Sequence, residues 1–440
     1  MTYDFKAINR LAVPAIISGI AEPLLSLTDT AIVGNMPENS VMGLAAVGIA
    51  GSFISALVWI LAQSRSAISA IIAGALGAGK LDEVRTLPSQ IILINIILSV
   101  ALYLCTVPFA REIFELYNAS GPVLDTTVSY YKIRALGLPL TLVTFSFFGL
   151  FRGMQNTYYP MIIAIVGAVL NVVLDVLFVF GWGSIIEPMG VEGAAWASVI
   201  AQLVMMFLTV YLAFKKIGFV WDLGSHANPS LKRLIILSLN LFIRAASLNV
   251  ALYFANAFAT SYGSVTIAAQ TILFQIWLFF SFFIDGYASV ANIVSGKLKG
   301  AQDFNGLKKL ISSVLKISVL VSFVLMLICF GSYFYIGRLF SNDLEVIEMF
   351  NTVFWMVLIM QPLNAVAFVY DGAFKGMAEA VALRNTLLIA TFLGFIPTVY
   401  LMDYLDLGLY GIWIAFTVWM LLRAGILIRL FKVKILPKNA

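Results

Sequence analysis

Two acidic side chains and one amide lie inside long apolar segments of the first half of the chain. Asp29 belongs to the stretch Glu22-Pro-Leu-Leu-Ser-Leu-Thr-Asp29-Thr-Ala-Ile-Val-Gly34, and Asn171 precedes Asp175 by four residues. A spacing of four places Asn171 and Asp175 on one face of a helix. Two neighbouring carboxylates in a medium of low dielectric cannot both ionise without a large cost, so they can take up a proton or hold a small cation such as Na⁺. The three residues therefore predict one polar pocket for a coupling ion, with Ser198 as a candidate fourth ligand.

Pro23 and Glu22, which precede Asp29 in the same segment, predict that this helix can bend and that it can bind a second proton. Pro23 lies six residues earlier, where it frees a backbone carbonyl and weakens the helix, so that the segment can bend. Glu22 lies about two turns from Asp29 on nearly the same face and is a candidate second protonation site. The alternative interpretation is a kinked helix whose acid joins a buried Asp–Asn hydrogen-bond network that only fixes helix packing.

Three further charged residues, Arg65, Arg244 and Asp285, lie at similar depth within apolar segments. We predict that Arg244 and Asp285 form an ion pair that stabilises the second half of the chain. A role in substrate binding is the alternative for these residues.

A set of flexible or aromatic side chains could line an adaptable cavity for flat amphiphilic ligands. The members of this set are Met36, Phe147, Met154, Phe274 and Trp277. Contact with lipid or packing in the core is the alternative interpretation for each of them.

The composition indicates a protein whose surface faces lipid. Of 440 residues, 61% are apolar and 11% are charged, whereas about 25% of the residues of soluble domains are charged. The single histidine, His226, excludes a histidine-based metal site, and Cys105 and Cys329 lie in separate apolar segments that suggest neither a metal pair nor a disulfide. The sequence contains no P-loop, no HExxH and no glycine-rich nucleotide motif. We therefore predict a polytopic membrane protein that is not an enzyme, has no cofactor and is driven by an ion gradient.

Twelve apolar segments, bounded by charged residues, Gly and Pro, position these residues. About 20 apolar residues cross a bilayer as a helix, and most of these segments exceed that length. Their approximate limits are 7–33, 42–72, 88–110, 121–147, 157–181, 190–214, 231–262, 264–295, 306–332, 344–370, 384–402 and 408–430.

Basic residues are distributed unevenly among the loops. The N-terminus, the even-numbered loops and the C-terminal tail carry nineteen Lys and Arg residues, whereas the odd-numbered loops carry two, Arg111 and Arg338. The positive-inside rule then places both termini in the cytoplasm. This distribution predicts a multi-pass protein of the inner cell membrane.

Three short motifs recur in the same order in the two halves of the chain. Gly149-Leu-Phe-Arg-Gly153-Met returns as Gly372-Ala-Phe-Lys-Gly376-Met, Gly190-Val-Glu-Gly193 as Gly408-Leu-Tyr-Gly411, and Gly74-Ala-Leu-Gly-Ala-Gly as Gly296-Lys-Leu-Lys-Gly-Ala. The repeat predicts an all-α protein of twelve transmembrane helices in two pseudo-symmetric six-helix bundles, 1–214 and 234–440, joined by a cytoplasmic linker, 215–233. Paired repeats are typical of secondary transporters that work by alternating access.

On these motifs the chain resembles the multidrug and toxic compound extrusion (MATE) family over its whole length. The stretches that carry the resemblance are Pro23–Gly34, Arg152-Gly-Met-Gln-Asn-Thr-Tyr-Tyr-Pro160, Asn171-Val-Val-Leu-Asp175 and Gly190-Val-Glu-Gly-Ala-Ala-Trp-Ala197. The resemblance implies the MATE fold of the MOP superfamily. It also implies rocking between outward-open and inward-open states, with export of toxic compounds against inward flow of H⁺ or Na⁺.

One branch of that family shares the polar residues more closely. Asp29, the Asn171–Asp175 pair and Arg65 before the glycine-rich loop are similar to the DNA-damage-inducible (DinF-like) branch. In that branch the acids of the first lobe form the proton or sodium site, and the resemblance carries this role onto Asp29, Asn171 and Asp175. The sodium–drug antiport branch uses an additional acid in its seventh helix, and the seventh segment of this chain has none. This difference favours proton coupling.

We therefore expect a monomeric secondary exporter of cationic or amphiphilic small molecules, surrounded by lipid and without a nucleic-acid partner. Protonation of Asp29 or Asp175 would remove charge, let the first helix bend at Pro23 and release the cargo. The alternative is a flippase for a lipid-linked precursor, or a metabolite exporter, of the same superfamily. A pyrophosphate cargo would require a cavity lined with Arg or Lys, whereas the predicted pocket is acidic.

Overall fold

The computed structural model describes residues 4–37, 39–183, 185–341 and 343–436, without the side chains of residues 21–27, 59 and 60. Glu22 and Pro23 therefore lie outside the described side chains, and their roles stay predictions. The described residues are mainly helical, and an isolated antiparallel bridge joins Trp182 to Ile186.

Seventeen α-helices follow one another along the described part of the chain. The first nine are α1 (Phe5–Gly34), α2 (Ser40–Leu61), α3 (Gln63–Ala78), α4 (Leu87–Thr106), α5 (Ala110–Glu115), α6 (Gly121–Arg134), α7 (Gly137–Gly153), α8 (Tyr158–Phe180) and α9 (Gly190–Leu212). The other eight are α10 (Pro229–Ser261), α11 (Ser264–Gly300), α12 (Phe304–Gly331), α13 (Tyr333–Ile336), α14 (Leu344–Gly376), α15 (Ala380–Ile389), α16 (Ile396–Tyr404) and α17 (Gly408–Leu430). Short 3₁₀ or π segments occupy Leu81–Val84, Ala213–Ile217, Gly337–Leu339, Ala390–Phe395 and Phe431–Ile435.

Many of these helices suit a bilayer in length and composition. Among the described residues, ten helical stretches are long and apolar enough to cross a membrane, or eleven if α6 and α7 together count as one. Those two helices are bent by 44° at the break between Arg134 and Gly137. The first predicted span corresponds to α1, which is 30 residues long and whose central side chains are not described. The described helices agree with the predicted polytopic architecture.

The two sides of α8 show why such a helix belongs in lipid. Val169, Val173 and Val176 recur at helical spacing and are exposed, whereas Asn171 and Asp175 on the same helix are buried. In water this arrangement would be unfavourable for two reasons, because it exposes apolar surface and because it buries polar groups. In a membrane, the valines face hydrocarbon and the polar side chains face the protein interior.

The chain forms two compact units. The N-terminal unit consists of Ile17–Ile72 and Lys80–Ile235, and the C-terminal unit consists of Met1–Ile16, Ala73–Gly79 and Ile236–Ala440. The division falls within α1, α3 and α10. It groups residues 215–233, which the sequence separated as a linker, with the N-terminal unit.

In the N-terminal unit, the first glycine motif lets α7 pack directly against α3. A Cβ atom added at Gly149 would lie 2.6 Å from the backbone oxygen of Arg65, and one at Gly153 would lie 2.6 Å from Cβ of Ile72. Small residues spaced four apart allow transmembrane helices to approach this closely. The backbone of Arg65 is therefore held against α7.

The second copy of the motif makes the same kind of contact in the C-terminal unit, where α14 packs on α11. A Cβ atom at Gly372 would lie 2.1 Å from the backbone oxygen of Ala288, and one at Gly376 would lie 1.8 Å from that of Asn292. The sequence repeat thus corresponds to a repeated helix contact in which one helix contributes no side chain.

Candidate ion-coupling site and cavity

A cavity of about 350 Å³ lies within the N-terminal unit. Its wall combines aromatic and small apolar side chains with polar and charged ones. The polar and charged members from α1, α3 and α6 to α9 include Asp29, Arg65, Tyr130, Arg134, Thr141, Thr144, Asn171, Ser198 and Gln202. Gly48 and Gly51 of α2 also line the cavity, and open space lies where their side chains would be. Such a wall suits a ligand that is partly apolar and partly polar.

Ser198 links two of the predicted pocket residues. Its hydroxyl donates a hydrogen bond of 3.2 Å to Oδ2 of Asp29, and Nδ2 of Asn171 donates to the Ser198 oxygen at 3.3 Å. One polar chain thereby joins α1, α8 and α9. The exposed fractions of Asp29, Ser198 and Asn171 are 6%, 5% and 2%, so these three hydrogen-bonded side chains are shielded from the surrounding solvent.

Asp175 lies one turn along α8 from Asn171 and is completely buried. Neither of its carboxylate oxygens has a hydrogen-bond partner in the described structure, and neither has Oδ1 of Asp29. Asp175 is one turn from Asn171, which the Ser198 hydroxyl links to Asp29, so the two acids flank the same hydrogen-bonded chain. Buried acceptors without donors, on two neighbouring acids, are chemically suited to a proton or a small cation. The structure therefore brings Asp29, Asn171, Asp175 and Ser198 together, with Asp175 behind the cavity wall.

Two arginines also line the cavity, so its wall is not purely acidic. The Arg65 guanidinium lies over the ring of Phe145, 5.0 Å from its centroid. Arg134 ends α6, where the break before Gly137 separates it from α7. The sequence interpretation assigned Arg134 no role in a cavity. The sequence feature that could have indicated this role is an arginine inside an apolar segment, three residues before Gly137.

None of the five residues that were predicted to line a cavity belongs to the described wall of this one. They are Met36, Phe147, Met154, Phe274 and Trp277. Phe147 packs on Phe219 instead, with ring centroids 5.1 Å apart. Phe274 and Trp277 stack on each other at 5.7 Å within the C-terminal unit. Phe145 and Phe148, close to Phe147 in sequence, face the cavity.

In the C-terminal unit, Arg244 pairs with Asp371 and not with the predicted Asp285. The Arg244 guanidinium donates from Nη2 to both Asp371 oxygens at 2.7 Å, and from Nε to Oδ1 at 3.1 Å. Asp285 lies on α11 and is exposed. The prediction was wrong because it matched the depth of the two residues and did not specify which face of each helix they occupy.

Apolar helices around buried acids and a polar cavity define a multi-pass membrane protein with the features of a transporter. The sequence profile of the MatE family matches residues 14–177 and 241–401. The chain belongs to this family, as its motifs indicated.

Relatives and solved structures extend the similarity over nearly the whole chain. DNA damage-inducible protein F of Escherichia coli (strain K12) is 28% identical over 428 residues, which cover 96% of this chain and 91% of that protein. Multidrug export protein MepA of Staphylococcus aureus is 22% identical over 96% of this chain and 90% of its own. A crystal structure of MATE in the bent conformation matches with a TM-score of 0.89 at 21% identity, over 98% of this chain and 95% of that one. A Pyrococcus furiosus transporter of the MOP superfamily, described by the reverse polarity of its binding pocket, matches with a TM-score of 0.88 at 21% identity, covering 98% and 95%. These likenesses confirm the predicted fold class.

Proposed function

We propose that the chain is a secondary active efflux transporter that exports cationic or amphiphilic small molecules in exchange for H⁺ or Na⁺. The observation that supports this most directly is the Asn171–Ser198–Asp29 chain at the cavity wall, with Asp175 buried beside it. The names of relatives such as Multidrug export protein MepA agree with this proposal.

Exchange follows from competition for one carboxylate pair. When Asp29 and Asp175 are both ionised, their repulsion in a medium of low dielectric favours binding of one positive charge. A proton, a Na⁺ ion or the cationic part of a cargo can each supply that charge. Since Asp29 lies on the cavity wall, a coupling ion that neutralises it weakens binding of a cationic cargo, and the reverse holds by linkage.

Movement between two access states would complete the cycle. In this proposal, a monomer lies in the inner cell membrane with both termini in the cytoplasm, and protonation lets α1 bend at Pro23. The bend reshapes the cavity and releases the cargo outward. A Pro23→Ala variant that exports at the normal rate would contradict this step without affecting the proposed coupling site.

The test is cargo-driven proton movement in proteoliposomes that contain the purified protein. Acid-loaded vesicles receive ethidium with and without sodium, and wild type is compared with Asp29→Asn, Asp175→Asn and, as control, Asp82→Asn, which changes an exposed acid outside the cavity. We expect dye-dependent proton efflux in wild type and the control, and its loss in the other two variants. Dye movement that requires sodium would identify Na⁺ as the ion. No dye movement under either gradient would overturn the export function.

The alternative function, a flippase for a lipid-linked precursor, requires several basic residues around a pyrophosphate. The cavity offers Arg65 and Arg134, but Asp29 shares their wall. An ionised acid on that wall would repel a doubly charged phosphate group. The acid on the wall therefore argues against a pyrophosphate cargo.

A further inference from the structure

Arg384, near the start of α15, reaches across to Asn240 of α10 in the C-terminal unit. Its Nη1 donates to Oδ1 of Asn240 at 2.7 Å, and its Nε and Nη2 donate to Oδ1 of Asn385 at 3.0 and 2.9 Å. The two helices also touch further along, where the Ser247 hydroxyl donates to the Leu387 backbone oxygen at 3.3 Å. From this arrangement we infer that Arg384 binds the phosphate of an anionic phospholipid where α10 and α15 meet. The inference does not depend on the proposed export function.

The charge of Arg384 has no acidic partner in the part of the chain that the structure describes. An arginine has five N–H donors, and three of those of Arg384 bond to amide oxygens, which carry no charge. None of the ion pairs among the described side chains includes this residue. Neither α10 nor α15 contains Asp or Glu. A half-buried cation without a counter-charge is suited to an anion from outside the protein.

Two acids near the start of α15, Asp371 and Glu379, already contact other basic side chains. Their partners are Arg244, Lys375, Arg423, Lys299 and Lys434. Arg244 lies one turn after Asn240 on α10, so this positive charge adjoins the contact made by Arg384. Basic groups therefore outnumber acids in these described contacts, and the resulting field favours an anion.

The two asparagines also hold the Arg384 guanidinium in one orientation. Asn240 is buried, and its Nδ2 donates to the Ile236 backbone oxygen at 2.7 Å, which directs its oxygen toward Arg384. Asn385 accepts from the opposite edge of the guanidinium. One N–H on each Nη atom is then left for a phosphate oxygen. A planar guanidinium that is already held in place loses little conformational freedom when it binds phosphate.

The apolar residues beyond Arg384 favour a lipid over a soluble anion. Arg384 is the fifth residue of Ala380–Tyr404, a stretch that is long and apolar enough to cross a membrane. Eight residues further along, Phe392 is 48% exposed, and Ile243, one turn beyond Asn240, is 39% exposed. These side chains offer a surface to acyl chains, from which a soluble anion would gain nothing. A basic site between two membrane helices, near the end of the span, suits the headgroup of an anionic lipid.

Two phospholipids with the same dioleoyl chains provide a matched test, since phosphatidylglycerol is anionic and phosphatidylcholine has no net charge. Native mass spectrometry of the purified full chain in detergent measures the dissociation constant of the first bound molecule of each lipid. The variants are Arg384→Gln, Arg384→Lys and, as control, Lys309→Gln, which removes the same positive charge from an exposed position on α12. We expect wild type to bind phosphatidylglycerol about tenfold more tightly than phosphatidylcholine, as for charge-assisted hydrogen bonds.

Arg384→Gln should weaken binding of phosphatidylglycerol about tenfold and change binding of phosphatidylcholine by less than about twofold, because only the first lipid brings an uncompensated negative charge. Arg384→Lys should weaken phosphatidylglycerol about threefold, since lysine keeps the charge and loses the planar donors. Lys309→Gln should leave both lipids unchanged. Equal weakening by Arg384→Gln and Lys309→Gln would indicate a general attraction to positive charge and overturn the inference. Equal weakening of both lipids by Arg384→Gln would indicate a structural role and overturn it as well.

A competition experiment separates a lipid headgroup from a free phosphate. We expect soluble sn-glycerol 3-phosphate, added in large excess, to leave phosphatidylglycerol bound, because it lacks the acyl chains. Displacement by this compound would assign the site to a soluble phosphate and overturn the lipid assignment. Dye export is measured separately in proteoliposomes, so failure of the export proposal would leave this result unaffected.

Discussion

Arg244 and Asp371 form a buried ion pair in the C-terminal unit, in which Nη2 of the arginine lies 2.7 Å from both carboxylate oxygens. Lys375 adds a contact of 2.9 Å to the same carboxylate, and Arg423 lies 3.8 Å from it. The Arg423 guanidinium also lies over the ring of Trp419, 4.7 Å from its centroid. One buried carboxylate thus contacts three basic side chains and offsets part of their positive charge.

Replacing Asp371 with Asn should destabilise the protein by about 3–5 kcal/mol, because the change leaves buried positive charge without its partner. Unfolding of the purified protein in detergent, followed by denaturant or heat, measures the effect. The control is Glu348→Gln, an exposed acid of the same unit, for which we expect a change within about 0.5 kcal/mol. Equal effects of the two substitutions would contradict the assignment of Asp371 as the partner.

This pair and the coupling site show which features the sequence could predict. Acids inside apolar segments are costly and must face a protected interior, so Asp29, Asn171 and Asp175 could be grouped from type and depth alone. Depth does not specify rotation about the helix axis, and that is why Asp285 was paired with Arg244 incorrectly.

The cavity wall was harder to predict for a related reason. Phe147 and Phe148 are adjacent in sequence, and both are buried, yet only Phe148 lines the cavity. Arg134 reaches the wall at the break that ends α6, and the position of such a break depends on tertiary packing. A pattern of apolar residues contains neither piece of information.

Ser198→Ala should reduce dye export about three- to tenfold, since Asp29 loses the hydroxyl that donates to it and Asn171 loses its acceptor. Initial rates of dye export in proteoliposomes measure the effect. Thr209→Val, further along α9, is the matched control because the Thr209 hydroxyl donates only to the Met205 backbone oxygen among its described contacts. If both variants export at the same rate, Ser198 does not hold the coupling carboxylate.

Gly376→Ala should lower the free energy of unfolding by at least about 3 kcal/mol, which is the upper end of the range for overpacked sites. The reason is that the new methyl group would lie 1.8 Å from the Asn292 backbone oxygen, and a backbone atom cannot move aside as a side chain can. Gly425→Ala in α17 is the control, because open space surrounds that position. Denaturant unfolding should show Gly425→Ala unchanged or slightly stabilised, as expected for alanine in a helix. A similar loss in both variants would argue against close packing of α14 on α11.

Glu379 gives a prediction for pH, because it lies outside the candidate membrane spans. Burial raises the pKa of its carboxyl, but the hydrogen bond and charge of Lys299, together with the charge of Lys434, lower it by more, so the pKa lies below its ordinary value of 4.5. The ion pair, with Lys299 Nζ 2.7 Å from Oε1, therefore contributes its full stability above that value. The contribution is lost as the pH falls through the lowered pKa of the folded state.

Glu379→Gln should remove this contribution, which we expect to be up to about 1 kcal/mol. The difference in unfolding temperature between wild type and variant should be largest near pH 7 and shrink toward zero below pH 4.5. Glu348→Gln, which changes an exposed acid of the same unit, should show no such convergence. A difference that stays constant with pH would mean that the charge of Glu379 is not what stabilises this contact.

Gln90 holds the segment that follows α9 against the start of α4. Its Nε2 donates to the backbone oxygens of Leu223 and His226 at 2.6 and 3.0 Å, and its Oε1 accepts from the backbone N–H of Asn228 at 2.8 Å. Asn228 is itself buried, and its side-chain amide donates to the backbone oxygen of Glu83 and to the hydroxyl of Thr86. One glutamine thus satisfies three backbone groups of this segment.

Gln90→Ala should release the segment, because each of these backbone groups would lose a partner worth about 1 kcal/mol or more. Trypsin cleavage at Lys215 and Lys216 of the detergent-solubilised protein should then become about tenfold faster or more, as expected for easier local opening. Ser225→Ala is the matched control, since the Ser225 hydroxyl contacts the neighbouring His226 ring at an exposed position. Cleavage that is equally fast in wild type and Gln90→Ala would show that other contacts keep the segment in place. Faster cleavage restricted to Gln90→Ala would show that the Gln90 side chain anchors the segment after α9 to α4.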